Sequence, residues 1–261
     1  MSTPVEQPGD PAAPPDTPET PARRFRLPSF RRAKPPAEAP PPRRPVALIP
    51  PLIMPAHPLM WALAWTLRRA GWEPRIFVYP SWRRDIPANA ARLAAWMQRW
   101  GVEELDVVTF SLGGIVLRWA AAHHDLPRLR RVVLLGPPNR GATMADWLDT
   151  RLGILFPAIW GRAARQLRRG DLGLCERAGA FPPGTEFAVI AGGRGSGKGL
   201  NPLIPGDNDF IVGVAETILP GMGDFTLVPH RHSLLPLSRR ACRLTVRFLK
   251  DGRFRESPKK H

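Results

Sequence analysis

Apolar and polar positions along this chain follow two alternating periods. Short runs rich in β-branched residues, at 46–49, 75–79, 105–109, 131–135, 187–191 and 225–228, read as buried strands. Between them, apolar residues recur three and four positions apart. Residues 58–70 read as a helix with Pro58 in its first turn and Gly71 at its end. Residues 86–100 repeat Ala90, Leu93, Ala94 and Met97, and residues 113–123 set Ile115, Val116, Trp119 and Ala120 on one face. Residues 235–249 make the last helix. Strands alternating with helices predict an α/β fold, a doubly wound and mostly parallel sheet, with sites at the carboxyl ends of its strands. Residues 144–180 interrupt the alternation. They carry Trp147, Leu148, Leu152, Ile154, Leu155, Phe156, Ile159 and Trp160 ahead of Arg162, Arg165, Arg168 and Arg169. They read as a small helical cap over a site mouth or as an ordinary packed helix pair.

The stretch around Ser111 brings chemistry into this frame. Val107-Val108-Thr109-Phe110-Ser111-Leu112-Gly113-Gly114 is a strand, a tight turn and a helix start. A serine in such a turn is lifted clear of the sheet, and small residues beside it let the strained backbone pack. Gly113 meets that demand; Thr109, two residues before the serine, meets it in part. The N–H of Leu112 at the helix N-terminus would face a developing oxyanion. An acid able to orient a histidine is expected in the loop Gly206-Asp207-Asn208-Asp209-Phe210-Ile211-Val212. Asp209 is favoured because an apolar pair follows it, and Asp207 is the alternative. The loop Pro229-His230-Arg231-His232-Ser233-Leu234 supplies the histidine. His232 is favoured because it lies nearer the apolar helix, and His230 is the alternative. His57, His123, His124 and His261 read as structural or solvated.

Two other patterns fall short of the motifs they approach. Residues 192–199, Gly-Gly-Arg-Gly-Ser-Gly-Lys-Gly, approach a phosphate-binding loop, but Gly199 stands where Ser or Thr should hold magnesium, and prolines follow where a helix should. Residues 46–67 carry no charged side chain, yet Pro50, Pro51, Pro55 and Pro58 oppose a membrane-spanning helix.

The chain's 261 residues suit one sizeable domain with tails. Residues 1–45 are rich in proline and poor in large apolar side chains, and read as a disordered segment, acidic to Pro21 and basic from Arg23 to Arg44. Its Arg-Arg-Phe-Arg run would suit either an anchor on anionic lipid or a solvated linker. The folded domain is expected over 46–250, with a basic tail at 251–261. The net charge of +16 favours anionic surfaces. No DNA- or RNA-binding motif accompanies it, so nucleic acid is not an expected partner. Cys175 and Cys242 make neither a metal spacing nor a disulfide framework, although one bridge between them is compatible with the sequence.

At these residues the chain resembles the α/β-hydrolase superfamily, and within it the bacterial lipases and esterases related to triacylglycerol lipases. The likeness spans about residues 46–250. Phe110-Ser111-Leu112-Gly113-Gly114 stands where that group has a His-Ser-Leu-Gly-Gly core. Gly136-Pro137-Pro138-Asn139-Arg140-Gly141 is similar to its loop after the next strand. Asn208-Asp209-Phe210-Ile211-Val212 is similar to its acid loop, and His232-Ser233-Leu234-Leu235 to its histidine segment. The resemblance implies Ser111, Asp209 and His232 as nucleophile, acid and base. It implies Leu112 and Leu52 as oxyanion donors, with no metal or organic cofactor. Three residues depart from the pattern: Thr109 replaces a Gly, Phe210 replaces a Gly, and Pro50-Pro51 replaces His-Gly. The implied activity is ester hydrolysis through an acyl-enzyme on a small-molecule ester or lipid, in the cytoplasm or peripherally at an anionic inner membrane face. An acyltransferase using the same residues, and a non-catalytic protein that binds a partner or an anionic membrane, are the other readings.

Overall fold

Each strand of the core is apolar on both of its sides, which is the mark of a parallel sheet covered by helices. Along β1 (Arg44–Ile49), Ala47 and Ile49 face one hydrophobic layer while Val46 and Leu48 face the other. β3 (Glu104–Phe110) splits in the same way, with Leu105 and Val107 against Val108 and Phe110. β4 (Arg128–Leu135) and β5 (Glu186–Gly192) repeat the alternation. With β2 (Trp72–Ile76) and β6 (Asp224–Val228) they form a six-stranded, wholly parallel sheet in the order β2-β1-β3-β4-β5-β6. This computed structural model describes residues 43–52, 57–80, 82–170 and 173–255. The expectations for residues 1–42, the end of the basic tail, His261 and the His57 side chain lie outside them.

Helices fill both faces. α1 (His57–Arg69) and α7 (Arg239–Asp251) cover one, packing Met60, Leu63, Leu67, Cys242 and Phe248 on the sheet. α2 (Ile86–Gln98) and α3 (Leu112–His123) cover the other. The insertion between β4 and β5 joins this second layer. It is three short helices, α4 (Thr143–Leu152), α5 (Leu155–Trp160) and α6 (Arg162–Arg165), followed by a 3-10 turn at Glu176–Ala178. Phe156, Ala163, Ala164, Leu167 and Cys175 pack into the core, while Ile154, Leu155 and Ile159 point to solvent. Asp149 pairs with Arg165 and Arg168, and Asp146 with Arg169, so the basic run is tied to α4.

Two elements differ from the sequence expectation. The second strand begins at Trp72 rather than Arg75, because α1 ends at Arg69, the chain turns at Gly71, and the Trp72 indole at once reaches across to Asp106 Oδ2 (2.7 Å). Phe77 and Tyr79 lie beyond the strand, stacked on each other and held by Trp96 of α2. The last helix is divided. A 3-10 helix at His232–Leu237 contains Pro236, which has no N–H to continue a ladder, and α7 starts afresh from Ser238, whose hydroxyl accepts from the Ala241 N–H. Cys175 and Cys242 are free thiols in layers on opposite faces of the sheet. No helix among the described residues is long and apolar enough to cross a membrane.

The chain runs outward from β1 to β2 and then returns to β3 on the other side of β1. The carboxyl ends of β1 and β3 therefore meet at a switch point, where Ile49 is in register with Thr109. Phe110 is in register with Leu135 of β4, and Gly192 of β5 with Val228 of β6, so the loops after all these strands open on one edge.

Candidate active site

Ser111 occupies the single residue between β3 and α3. Its φ of 53° and ψ of −122° are a strained setting for a residue with a side chain, and only Phe210 shares a positive φ among the described non-glycine residues. The strain is held from both sides. The Ser111 N–H donates to the Leu135 carbonyl (2.9 Å), extending the parallel ladder by one residue, and the Ser111 carbonyl accepts from Gly114 (3.0 Å). Gly113 lies against the end of β1. A Cβ there would stand 2.5 Å from the Ile49 carbonyl oxygen and 2.9 Å from that of Pro50. The Thr109 side chain meets Gly114 rather than Gly113, at 3.2 Å from where a Cβ would be. Two small residues thus serve two different contacts.

His232 approaches from the loop after β6. Its Nε2 is 2.9 Å from the Ser111 hydroxyl oxygen, and its Nδ1 is 2.6 Å from Asp209 Oδ2. A carboxylate has no hydrogen to give, so Nδ1 is the donor, and that tautomer leaves the Nε2 side of the ring to face the hydroxyl. The ring packs on Phe110, 4.9 Å between centroids, and the His232 backbone N–H donates to the Asp209 carbonyl (2.9 Å). All three side chains are buried or nearly so.

Asp209 itself is fixed at its second oxygen, where Oδ1 accepts from the N–H groups of Val212 (2.8 Å) and Ile211 (3.1 Å). Gly192, at the end of β5, leaves it room: a Cβ there would stand 2.7 Å from the Asp209 Cβ. Asn208, wholly buried, organises the loop. Its amide donates to the carbonyls of Asn201, Ile204 and Gly206, and its oxygen accepts from the N–H groups of Asn201 and Phe210. Phe210 takes φ 92°, a glycine-like conformation at the position where the resemblance expects Gly. Glu216 links this loop to the insertion, accepting from Gly213 with one oxygen and from the Thr143 N–H and hydroxyl with the other.

The alternatives sit elsewhere. Asp207 turns its carboxylate to the N–H groups of Arg194, Gly195 and Ser196 and so ties the glycine-rich loop to the acid loop. His230 lines a cleft with Arg194, Arg231 and Leu234, and the structure brings neither Asp207 nor His230 to Ser111. Leu112 opens α3, where its N–H has no intrahelical acceptor. Leu52 is half-buried directly after Pro50-Pro51. One residue of this region is not legible as part of it from sequence. Tyr79, the chain's single tyrosine, donates its hydroxyl to the Pro50 carbonyl (2.8 Å), and burial raises its pKa, keeping it a donor.

No protein-family model matches the chain, and no curated protein matches it. Solved structures do. The mature lipase BlEst2 of Bacillus licheniformis superimposes with a TM-score of 0.62 at 20% identity, covering 82% of this chain and 94% of that one. The chain has the α/β-hydrolase fold. A metagenomic carboxyl esterase, MGS0156, shares it with a TM-score of 0.55 at 17% identity over 73% of this chain and 64% of its own. The phospholipase PlaB of Legionella pneumophila gives 0.57 at 15% identity over 80% of this chain and 57% of its own. Ser111 stands in the strained turn between β3 and α3 of that fold.

Proposed function

We propose that the protein is a serine hydrolase that cleaves carboxylic esters through an acyl-enzyme. The observation that carries this is the chain of contacts from Ser111 through His232 to the buried Asp209. The similarity in fold to a lipase, a carboxyl esterase and a phospholipase supports the same reading.

The hydroxyl of Ser111 attacks the ester carbonyl carbon as its proton passes to His232 Nε2. Asp209 holds the imidazole in the receptive tautomer and balances the positive charge it gains. The carbonyl oxygen becomes an oxyanion, met by the N–H of Leu112 and of Leu52. Collapse expels the alcohol, which takes the proton back from His232. A water then repeats the cycle on the acyl-serine, giving the free acid and restoring the hydroxyl.

The test is hydrolysis of p-nitrophenyl esters from acetate to palmitate by the wild type and Ser111→Ala, with fluorophosphonate labelling alongside. Turnover and labelling that both vanish in the variant are expected, and the chain-length optimum then separates esterase from lipase. Absence of both in the wild type would favour a non-catalytic protein.

A further inference from the structure

α1 has an outward face as ordered as its inward one. Met60, Leu63 and Leu67 are buried on the sheet, yet Trp61 and Trp65, one turn apart, are 62% and 60% exposed. Arg68 and Arg69 follow in the same exposed row, and the Arg69 guanidinium lies 4.4 Å from the Trp65 ring centroid. α1 packs beside α7, which turns Arg239, Arg240, Arg243 and Lys250 outward. The 3-10 helix His232–Leu237 touches both and exposes Leu234 and Leu237. α1 and this 3-10 helix contain no acidic residue, and α7 has only Asp251 at its end. None of the five arginines pairs with a carboxylate among the described residues, whereas Arg75, Arg130, Arg131, Arg165 and Arg168 do.

We propose that the surface made by α1, His232–Leu237 and α7 seats the protein on an anionic phospholipid bilayer. Indole rings with arginines beside them suit the headgroup boundary, where the ring is half-desolvated and the cations meet lipid phosphate. Exposed Leu234 and Leu237 gain by entering hydrocarbon and gain nothing against a nucleic-acid backbone, so the occupant is lipid. The face also meets the candidate site. His232 opens the 3-10 helix that exposes the two leucines, and Leu234 lines a cleft of about 350 Å³ with Arg194, His230 and Arg231. The docking stands on the surface alone. Its use, the supply of membrane ester to Ser111, rests on the hydrolase reading.

Sedimentation of the full chain with phosphatidylcholine vesicles, with and without phosphatidylglycerol, tests it. Strong partition is expected only with phosphatidylglycerol. Arg239→Gln/Arg240→Gln/Arg243→Gln should weaken it by roughly fivefold per charge at low salt. Trp61→Ala/Trp65→Ala should weaken it by roughly tenfold or more, through lost interfacial burial. Both variants should hydrolyse soluble p-nitrophenyl acetate and label with fluorophosphonate as the wild type does. Partition that is absent, that survives both variants, or that falls only with Ile154→Ser/Ile159→Ser overturns the proposal, as does tighter binding to a DNA fragment than to the anionic vesicles. Vesicle binding with no labelling of the wild type would leave the docking face standing and remove the hydrolase reading.

Discussion

Replacing Asp209 by Asn changes one atom pair and tests whether His232 acts as a base. Asp209 Oδ1 accepts from two backbone N–H groups while Oδ2 accepts from His232 Nδ1. An asparagine must choose which side its NH₂ faces. Turned toward Ile211 and Val212, it sets donor against donor at one part-buried and one buried position. Such an orphan costs about 1–3 kcal/mol when buried and less when water reaches it, so this orientation lies about 2–4 kcal/mol above the other. Turned toward His232, the NH₂ donates to Nδ1. The imidazole proton then moves to Nε2 and points at Ser111, where a lone pair is needed. Catalysis survives only through the minority orientation. Its population is about 3% at most for a 2 kcal/mol gap, which sets a floor of roughly thirtyfold on the loss. The same change in a serine-protease triad costs about 10⁴ in kcat, or about 5 kcal/mol of barrier. For this protein we expect a loss in kcat between about 10³ and 10⁴ with p-nitrophenyl butyrate. The melting temperature should move little, because the number of hydrogen bonds is conserved. The His232 ¹⁵N shifts should report a change from the Nδ1–H to the Nε2–H form. A loss below tenfold would refute the reasoning, as would a larger loss in Asp207→Asn, whose carboxylate serves the glycine-rich loop.

Three further outcomes follow from the structure. Tyr79→Phe removes the donor to the Pro50 carbonyl and should cost about 1 kcal/mol in urea denaturation. It should also lower kcat by several-fold with KM little changed, and an unchanged kcat would mean the loop after β1 needs no such anchor. Phe210 is 49% exposed at φ 92°, so Phe210→Gly should be more stable than Phe210→Ala by about 1 kcal/mol, the reverse of the usual order. Equal or inverted denaturation midpoints would show that the positive φ is not strained. Burial pushes the Cys175 thiol from its ordinary 9.0 up to about 12, so the unfolded chain ionises first. Its stabilisation is whole below pH 9 and is lost as pH rises toward 12, by up to about 1.4 kcal/mol per pH unit. Denaturation midpoints that fall across this range, and fall less steeply in Cys175→Ala, are expected.

What could be read from the sequence was what depends on neighbours in the chain. Runs of Val, Ile and Leu fixed on both faces of the sheet announced the strands, and Ser111 between a β-branched strand and two glycines announced its turn. The choice between Asp207 and Asp209 was of another kind. Both stand in one Gly-Asp-Asn-Asp stretch, and local pattern offers only the apolar pair that follows Asp209. The geometric decision is made by a buried amide: Asn208 binds back to Asn201, Ile204 and Gly206, and so turns the flanking carboxylates to opposite uses. Tyr79 was hidden for a similar reason. Its partner lies 29 residues earlier, and an aromatic after an apolar run looks like more strand. The frame of β2 also depended on a distant group, since Asp106 draws Trp72 into the sheet.

The two prolines in the loop after β1 are then less of a departure than they look. A proline withholds its N–H, but at Pro50 the structure uses the carbonyl: it accepts from Tyr79 and lies where only a glycine at position 113 permits the elbow to approach. Pro51 is buried and fixes φ ahead of Leu52. An oxyanion donor is worth most when its peptide is set before the reaction, because no ordering is then left to be done in the transition state. Stiffness ahead of Leu52 serves that end. The residues that break the expected His-Gly pattern therefore remove no N–H that the proposed chemistry requires.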